Sequence, residues 1–156
     1  MKKLIILFLS LIIFLPAEDK IQRNAFVVDL GGPGGITTLE YQFTFIKKNN
    51  HTLSIPLAFG TGGLWFTAGT GLQYTYGDNN RLLLGMYFLE ELIADFDNEY
   101  EDDWFFESRL MPKLGYQRKT QLFYRDIYVH IYFSPMIRLS DGRFIPWFGL
   151  GIMQNF

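Results

Sequence analysis

Gln121–Arg138, QLFYRDIYVHIYFSPMIR, sorts its residues onto two faces with a period of two. Phe123, Ile127, Val129, Ile131, Phe133 and Ile137 share one face, and Asp126, His130, Ser134 and Arg138 share the other. Side chains alternate in this way along a β-strand, whereas a helix would repeat every 3.6 residues. The same alternation extends outward in both directions. Upstream, Leu39, Tyr41, Phe43 and Phe45 alternate with Thr38, Glu40, Gln42 and Thr44, and Leu72, Tyr74 and Tyr76 with Gly71, Gln73 and Thr75. Downstream, Phe144, Phe148, Leu150, Ile152 and Phe156 lie opposite Gly149, Gly151 and Asn155.

The pattern predicts eight strands, at 25–31, 36–46, 52–60, 64–76, 81–91, 104–117, 120–139 and 144–156. Between them stand residues suited to turns: Gly32-Pro33-Gly34-Gly35, 47–51, Gly62-Gly63, 77–80, an acidic stretch 92–103, Arg118-Lys119 and Asp141-Gly142. Opposed residues of an antiparallel pair point to one face, which tests each turn. A turn at Arg118-Lys119 pairs Gln117 with Thr120, Glu107 with His130 and Arg109 with Tyr128, polar face to polar face. A turn at Asp141-Gly142 pairs Ser134 with Gly149, and one at Gly62-Gly63 pairs Ala58 with Thr67. The 77–80 connection satisfies the test only with a bulge or an odd loop length.

The N-terminus reads as a secretory signal. Lys2 and Lys3 precede an apolar run, Leu4–Leu15, broken only by Ser10, and Pro16-Ala17 supplies a small residue for cleavage. That run is too short for a membrane helix, which needs about 20 residues. The expected division is therefore a signal peptide over 1–17 and one β-barrel domain over 18–156. Cleavage would leave 12 basic and 16 acidic residues, net charge −4, which gives nucleic acid no basic patch to bind. With no cysteine there is no disulfide framework, thiolate metal site or cysteine nucleophile.

Alternation alone does not say which face is inside. The apolar face carries almost no charge in mid-strand, as contact with lipid requires. The polar face holds Gly, Thr, Ser and Gln with charges of mixed sign, where a soluble exterior would carry more Lys and Glu. We therefore expect an all-β fold: a closed antiparallel up-and-down transmembrane barrel of about eight strands, apolar outward. Its lumen would hold a neutralised polar network of Asp29, Glu40, Arg81, Glu107, Arg109, Lys113, Asp126, His130 and Arg138.

In this pattern the chain resembles the small eight-stranded outer-membrane barrels of the OmpA/OmpX type, over residues 25–156. The sharpest element is the terminal strand, where Phe148, Leu150, Ile152 and Phe156 look like the signal read by the barrel-assembly machinery. Gln154 departs from it, since an apolar residue is usual two places before the end. The resemblance implies a porin-like, non-enzymatic cell-envelope protein, exported to the outer membrane of a Gram-negative-type bacterium. Its partners would be outer-membrane lipid and, during biogenesis, the assembly machinery, with the barrel a monomer.

Two other functions stay open, a membrane-embedded acyl hydrolase or acyltransferase for lipid A or phospholipid, and a soluble periplasmic lipid-binding barrel. No catalytic set emerges from the sequence. Asp126, His130 and Ser134 are four apart on a strand, about 13 Å per step at 3.3 Å per residue, far beyond a hydrogen bond. His51 falls in a polar turn. The run Asp95–Asp103 holds six acids in nine residues but lacks the spacing of a calcium loop, so neither metal nor cofactor is expected.

Overall fold

The computed structural model describes residues 24–63, 65–95 and 103–156. The expected signal segment and the centre of the acidic stretch lie outside these residues. The strands are β1 Asn24–Leu30, β2 Thr37–Lys48, β3 His51–Thr61, β4 Trp65–Gly77, β5 Asn80–Asp95, β6 Asp103–Leu122, β7 Arg125–Phe133, β8 Met136–Arg138, β9 Phe144–Ile145 and β10 Phe148–Asn155. β7 continues into β8 past Ser134-Pro135, and β9 into β10 past Pro146-Trp147, so the ten segments form eight staves.

Every pairing is antiparallel between chain neighbours, and β1 pairs with β10, from Ala25↔Asn155 to Leu30↔Leu150, which closes the barrel. Closure follows from an energetic rule: an unpaired backbone group buried in an apolar medium costs several kcal/mol. The seam ends on reciprocal hydrogen bonds, Phe156 N to Asn24 O (2.9 Å) and Asn24 N to Phe156 O (3.3 Å).

Along β1, Ala25, Val27 and Asp29 are buried and Leu30 is exposed; along β5, Arg81, Leu83, Tyr87, Leu89 and Glu91 are buried while Leu82, Leu84, Met86 and Phe88 are exposed. Large apolar side chains thus cover the outside, and most of the buried polar and charged groups fill the inside.

Face assignments agree with the sequence pattern, but several registers do not. The β6–β7 turn lies at Phe123-Tyr124, not at Arg118-Lys119. Both residues adopt left-handed backbone (φ 48° and 64°), the geometry of a type I′ hairpin, and their rings are exposed. Gln117 therefore faces His130, not Thr120, and Glu107 and Arg109 face Glu91 and Arg138 in place of His130 and Tyr128. The ladder has slid by ten residues, an even number, so every side chain keeps its face. Slides of two residues put Gly69 opposite Ala58 and Tyr132 opposite Gly149. At 77–80 the pair Gly77↔Arg81 leaves the odd loop that parity demands.

Gly151 shows how tightly the wall and lumen interlock. It stands between Asp29 and His130 in the ladder, and a Cβ there would lie 2.5 Å from the Val28 carbonyl oxygen and against the Asp29 carboxylate. Overpacking of this kind costs about 1–3 kcal/mol. Gly151→Ala is expected to lower the stability of detergent-refolded protein by that amount, read as a shift in the urea midpoint.

Candidate functional site

The lumen groups form two ionic clusters separated by apolar packing. In the deeper cluster, β1 supplies Asp29, β2 Glu40, β6 Lys113 and β7 His130, and all four are buried. His130 Nε2 lies 2.5 Å from Asp29 Oδ1. These residues sit two strands apart, and they meet because Gly151 on the intervening strand has no side chain. The Tyr132 hydroxyl donates to Asp29 Oδ2 at 2.8 Å. Lys113 Nζ lies 3.7 Å from Asp29 and 4.0 Å from Glu40, with the Tyr132 ring 4.1 Å below it. Glu40 accepts from the Tyr87 hydroxyl (3.0 Å) and from the Gln42 amide, and Gln73 donates to Gln42 at 3.2 Å. Two carboxylates, Asp29 and Glu40, stand against one ammonium, with the His130 ring beside Asp29.

Ala58, Tyr87, Leu89, Met111 and Met136 pack as an apolar layer, against which Ile145 and Trp147 are seated. Arg109 Nη1 touches this layer at Met136 Sδ (3.3 Å) and begins the second cluster. Its Nη2 lies 2.8 Å from Glu91 and 3.0 Å from Glu107, and Arg138 Nε is 2.8 Å from the other Glu107 oxygen. Two acids and two bases neutralise one another. Arg138 also reaches Asp141 in the loop after β8, at 3.5 Å.

Of the nine residues expected in the lumen network, Asp29, Glu40, Lys113 and His130 come together in one cluster and Glu107, Arg109 and Arg138 in the other. Arg81 is set apart, with its guanidinium 3.9 Å over the Tyr128 ring and its Nε donating to Asp78 O. Asp126 does not belong to the lumen: it is exposed at the end of the β6–β7 hairpin and pairs with Lys119 at 2.6 Å. The turn at Phe123-Tyr124 puts it near the tip of that hairpin, opposite Gln121. There the Lys119 hydrogen bond holds its carboxyl below the usual carboxylate range.

Glu91, Tyr87, Tyr132, Gln42 and Gln73 were not among the expected site residues. Parity contains the signal: residues 87 and 91 share the odd phase of Arg81, and residue 132 the even phase of His130. His51 opens β3, exposed, with Nδ1 2.6 Å from the Tyr74 hydroxyl. Ser134 gives its hydroxyl proton to the Pro112 carbonyl (3.0 Å), while His130 engages Asp29, so these two do not form a nucleophile–base pair. Among the described residues no cluster of His, Asp and Glu is arranged to hold a metal. Phe148, Leu150 and Ile152 point outward along β10, and Phe156 stacks on Phe26 at 5.3 Å.

An eight-stranded antiparallel barrel closed first strand to last, apolar outside and ionic inside, has the fold of the small outer-membrane-type barrels. Among solved structures the chain is similar to the N-terminal β-barrel domain of Pseudomonas aeruginosa OprF, with a TM-score of 0.54 over 86% of this chain and 98% of that one. The sequences are 13% identical, so the likeness is one of fold. No protein-family model and no curated protein matches the sequence.

Removing one partner of a buried ion pair leaves the other uncompensated, at about 3–5 kcal/mol. Lys113→Met is therefore expected to cost that much in refolded protein. Asp126→Asn, which breaks an exposed pair, should cost less than about 1 kcal/mol. The Asp126 contribution is present above the ordinary aspartate range and fades as pH falls through its lowered value. Equal losses in the two variants would remove Lys113 from the cluster assigned to it.

Proposed function

We propose that the chain is a non-enzymatic integral outer-membrane barrel, with a structural or surface-interaction role in a Gram-negative-type cell envelope. The observation that carries this reading is the inversion of its two faces. Phe43, Leu57, Phe59, Phe66, Leu84, Met86, Phe88, Leu114, Ile131 and Leu150 are all at least 40% exposed, while Asp29, Glu40, Glu91 and Lys113 are at most 2% exposed. Water would reverse that arrangement; hydrocarbon rewards it. A soluble lipid carrier would need an open apolar interior, whereas Tyr87, Leu89, Met111, Gln73, Gln117 and Glu40 fill this one.

The mixed charge signs within each lumen cluster argue for a plug over a conducting pore, which would carry a ring of one sign. Residues 1–17 would direct export, and the C-terminal strand ending at Phe156 would be read during assembly. Connections 31–36, 62–63 and 139–143 would then face the outside, with 49–50, 78–79 and 123–124 in the periplasm.

Fractionated cells are expected to hold the protein in the outer membrane, migrating anomalously on a gel until boiled. Ile131→Arg places a cation near mid-belt and should cost about 2–4 kcal/mol in lipid vesicles. Periplasmic recovery of a protein whose mobility ignores heat would defeat the proposal.

A further inference from the structure

Among the described residues the barrel wall is incomplete where β1 ends. β1 ends at Leu30 and the chain turns inward: residues 32–35 are buried, Pro33 completely, and the Gly34 N–H bonds the lumen-facing Thr38 hydroxyl at 2.8 Å. Gly31 (φ 72°) permits the turn and lies so close to β10 that a Cβ would meet the Phe148 carbonyl oxygen at 2.3 Å. Above this point β10 has lost its β1 neighbour, and among the described residues β9 pairs only with β8.

Prolines interrupt the ladder at the same level. The registers on either side (Phe133↔Phe148 and Met136↔Ile145; Leu114↔Phe133 and Leu110↔Ile137) put Pro135 opposite both Pro146 and Pro112. None of the three has an N–H to donate.

What remains is a notch of about 530 Å³ lined by Leu30, Gly31, Ile36, Pro146, Trp147 and Phe148. It opens on the outer face of the barrel. Outward apolar rows bracket it, Phe144, Ile137, Leu110 and Phe88 on one side, Phe148, Phe133, Leu114 and Leu84 on the other. One lining residue, Trp147, also packs against the apolar layer of the lumen, and its indole N–H is buried without a hydrogen-bond partner.

We propose that this notch is a lateral lipid site, occupied by one acyl chain of a bilayer lipid. The inference rests on the membrane reading above. The occupant follows from the lining, which is apolar and uncharged, and from the level, which is within the belt that faces hydrocarbon. Annular lipid glides over a smooth barrel wall; a break in the wall holds one chain in place.

The test uses the refolded chain with Trp65→Phe and Trp104→Phe, so that Trp147 is the only tryptophan. Phosphatidylcholine brominated at mid-chain is titrated into detergent micelles holding the protein, and Trp147 fluorescence is followed. Occupation of a site should give quenching that saturates at about one lipid per barrel. Ile36→Tyr, which fills the notch from β2's side, should weaken that binding about tenfold while heat-modifiable migration is retained. Leu30→Tyr fills it from β1's side and serves where Ile36→Tyr does not fold. Quenching that rises linearly with lipid fraction, unchanged by either substitution, would overturn the site and leave the membrane reading intact. Protein that never enters micelles and ignores heat on a gel would overturn both.

Discussion

The pairing of Asn24–Leu30 with Phe148–Asn155 is the constraint on which the other features of this barrel depend. Six opposed residue pairs join the beginning of the described chain to its end, and without them two long strand edges would be left without hydrogen bonds. That closure also assembles the deeper ionic cluster. Asp29 arrives on the first strand, and its partners Lys113, His130 and Tyr132 stand on β6 and β7, much later in the sequence. Opening the seam would therefore expose backbone and strip a buried carboxylate of its counter-charges at once. The two losses reinforce each other, which ties barrel closure to lumen order.

The lumen solves a problem of volume. An eight-stranded barrel has an interior about wide enough for its own side chains. This chain fills it by setting large residues beside absent ones. Tyr132 lies between Gly115 and Gly149, and Asp29 reaches His130 over Gly151. The charges are grouped with counter-charges at two depths, and the apolar layer of Ala58, Leu89, Met111 and Met136 keeps the groups apart. The wall, by contrast, is interrupted where Pro135 meets Pro146 and where the Gly31–Gly35 segment turns inward. There residues 32–35 lie buried and do not extend the wall.

Period-two alternation settled much of this protein before any coordinates. It assigned Asp29, Glu40, Lys113 and His130 to the inside and Phe148, Leu150 and Ile152 to the outside, because a strand offers only two faces and one was apolar. Polar composition of the other face pointed to a filled, charged lumen. The same parity covers Glu91, Tyr87 and Tyr132, whose place beside the charges was readable but unclaimed.

Distance along the strand is what alternation leaves open. Sliding a hairpin by an even number of residues preserves every face and changes every partner. Arg118-Lys119 is polar and made a plausible turn, yet the chain turns at Phe123-Tyr124, two aromatic residues in a left-handed conformation. That slide of ten residues took Asp126 out of the lumen to Lys119, and set Gln117 opposite His130. His130 then found its acid on β1, a strand that adjoins β10 only once the barrel has closed. Which face each side chain would occupy was a property of the sequence, since it depends on periodicity alone. Which charges would meet was decided by the closed barrel, because hydrogen-bond register and side-chain volume must be satisfied around the whole ring together.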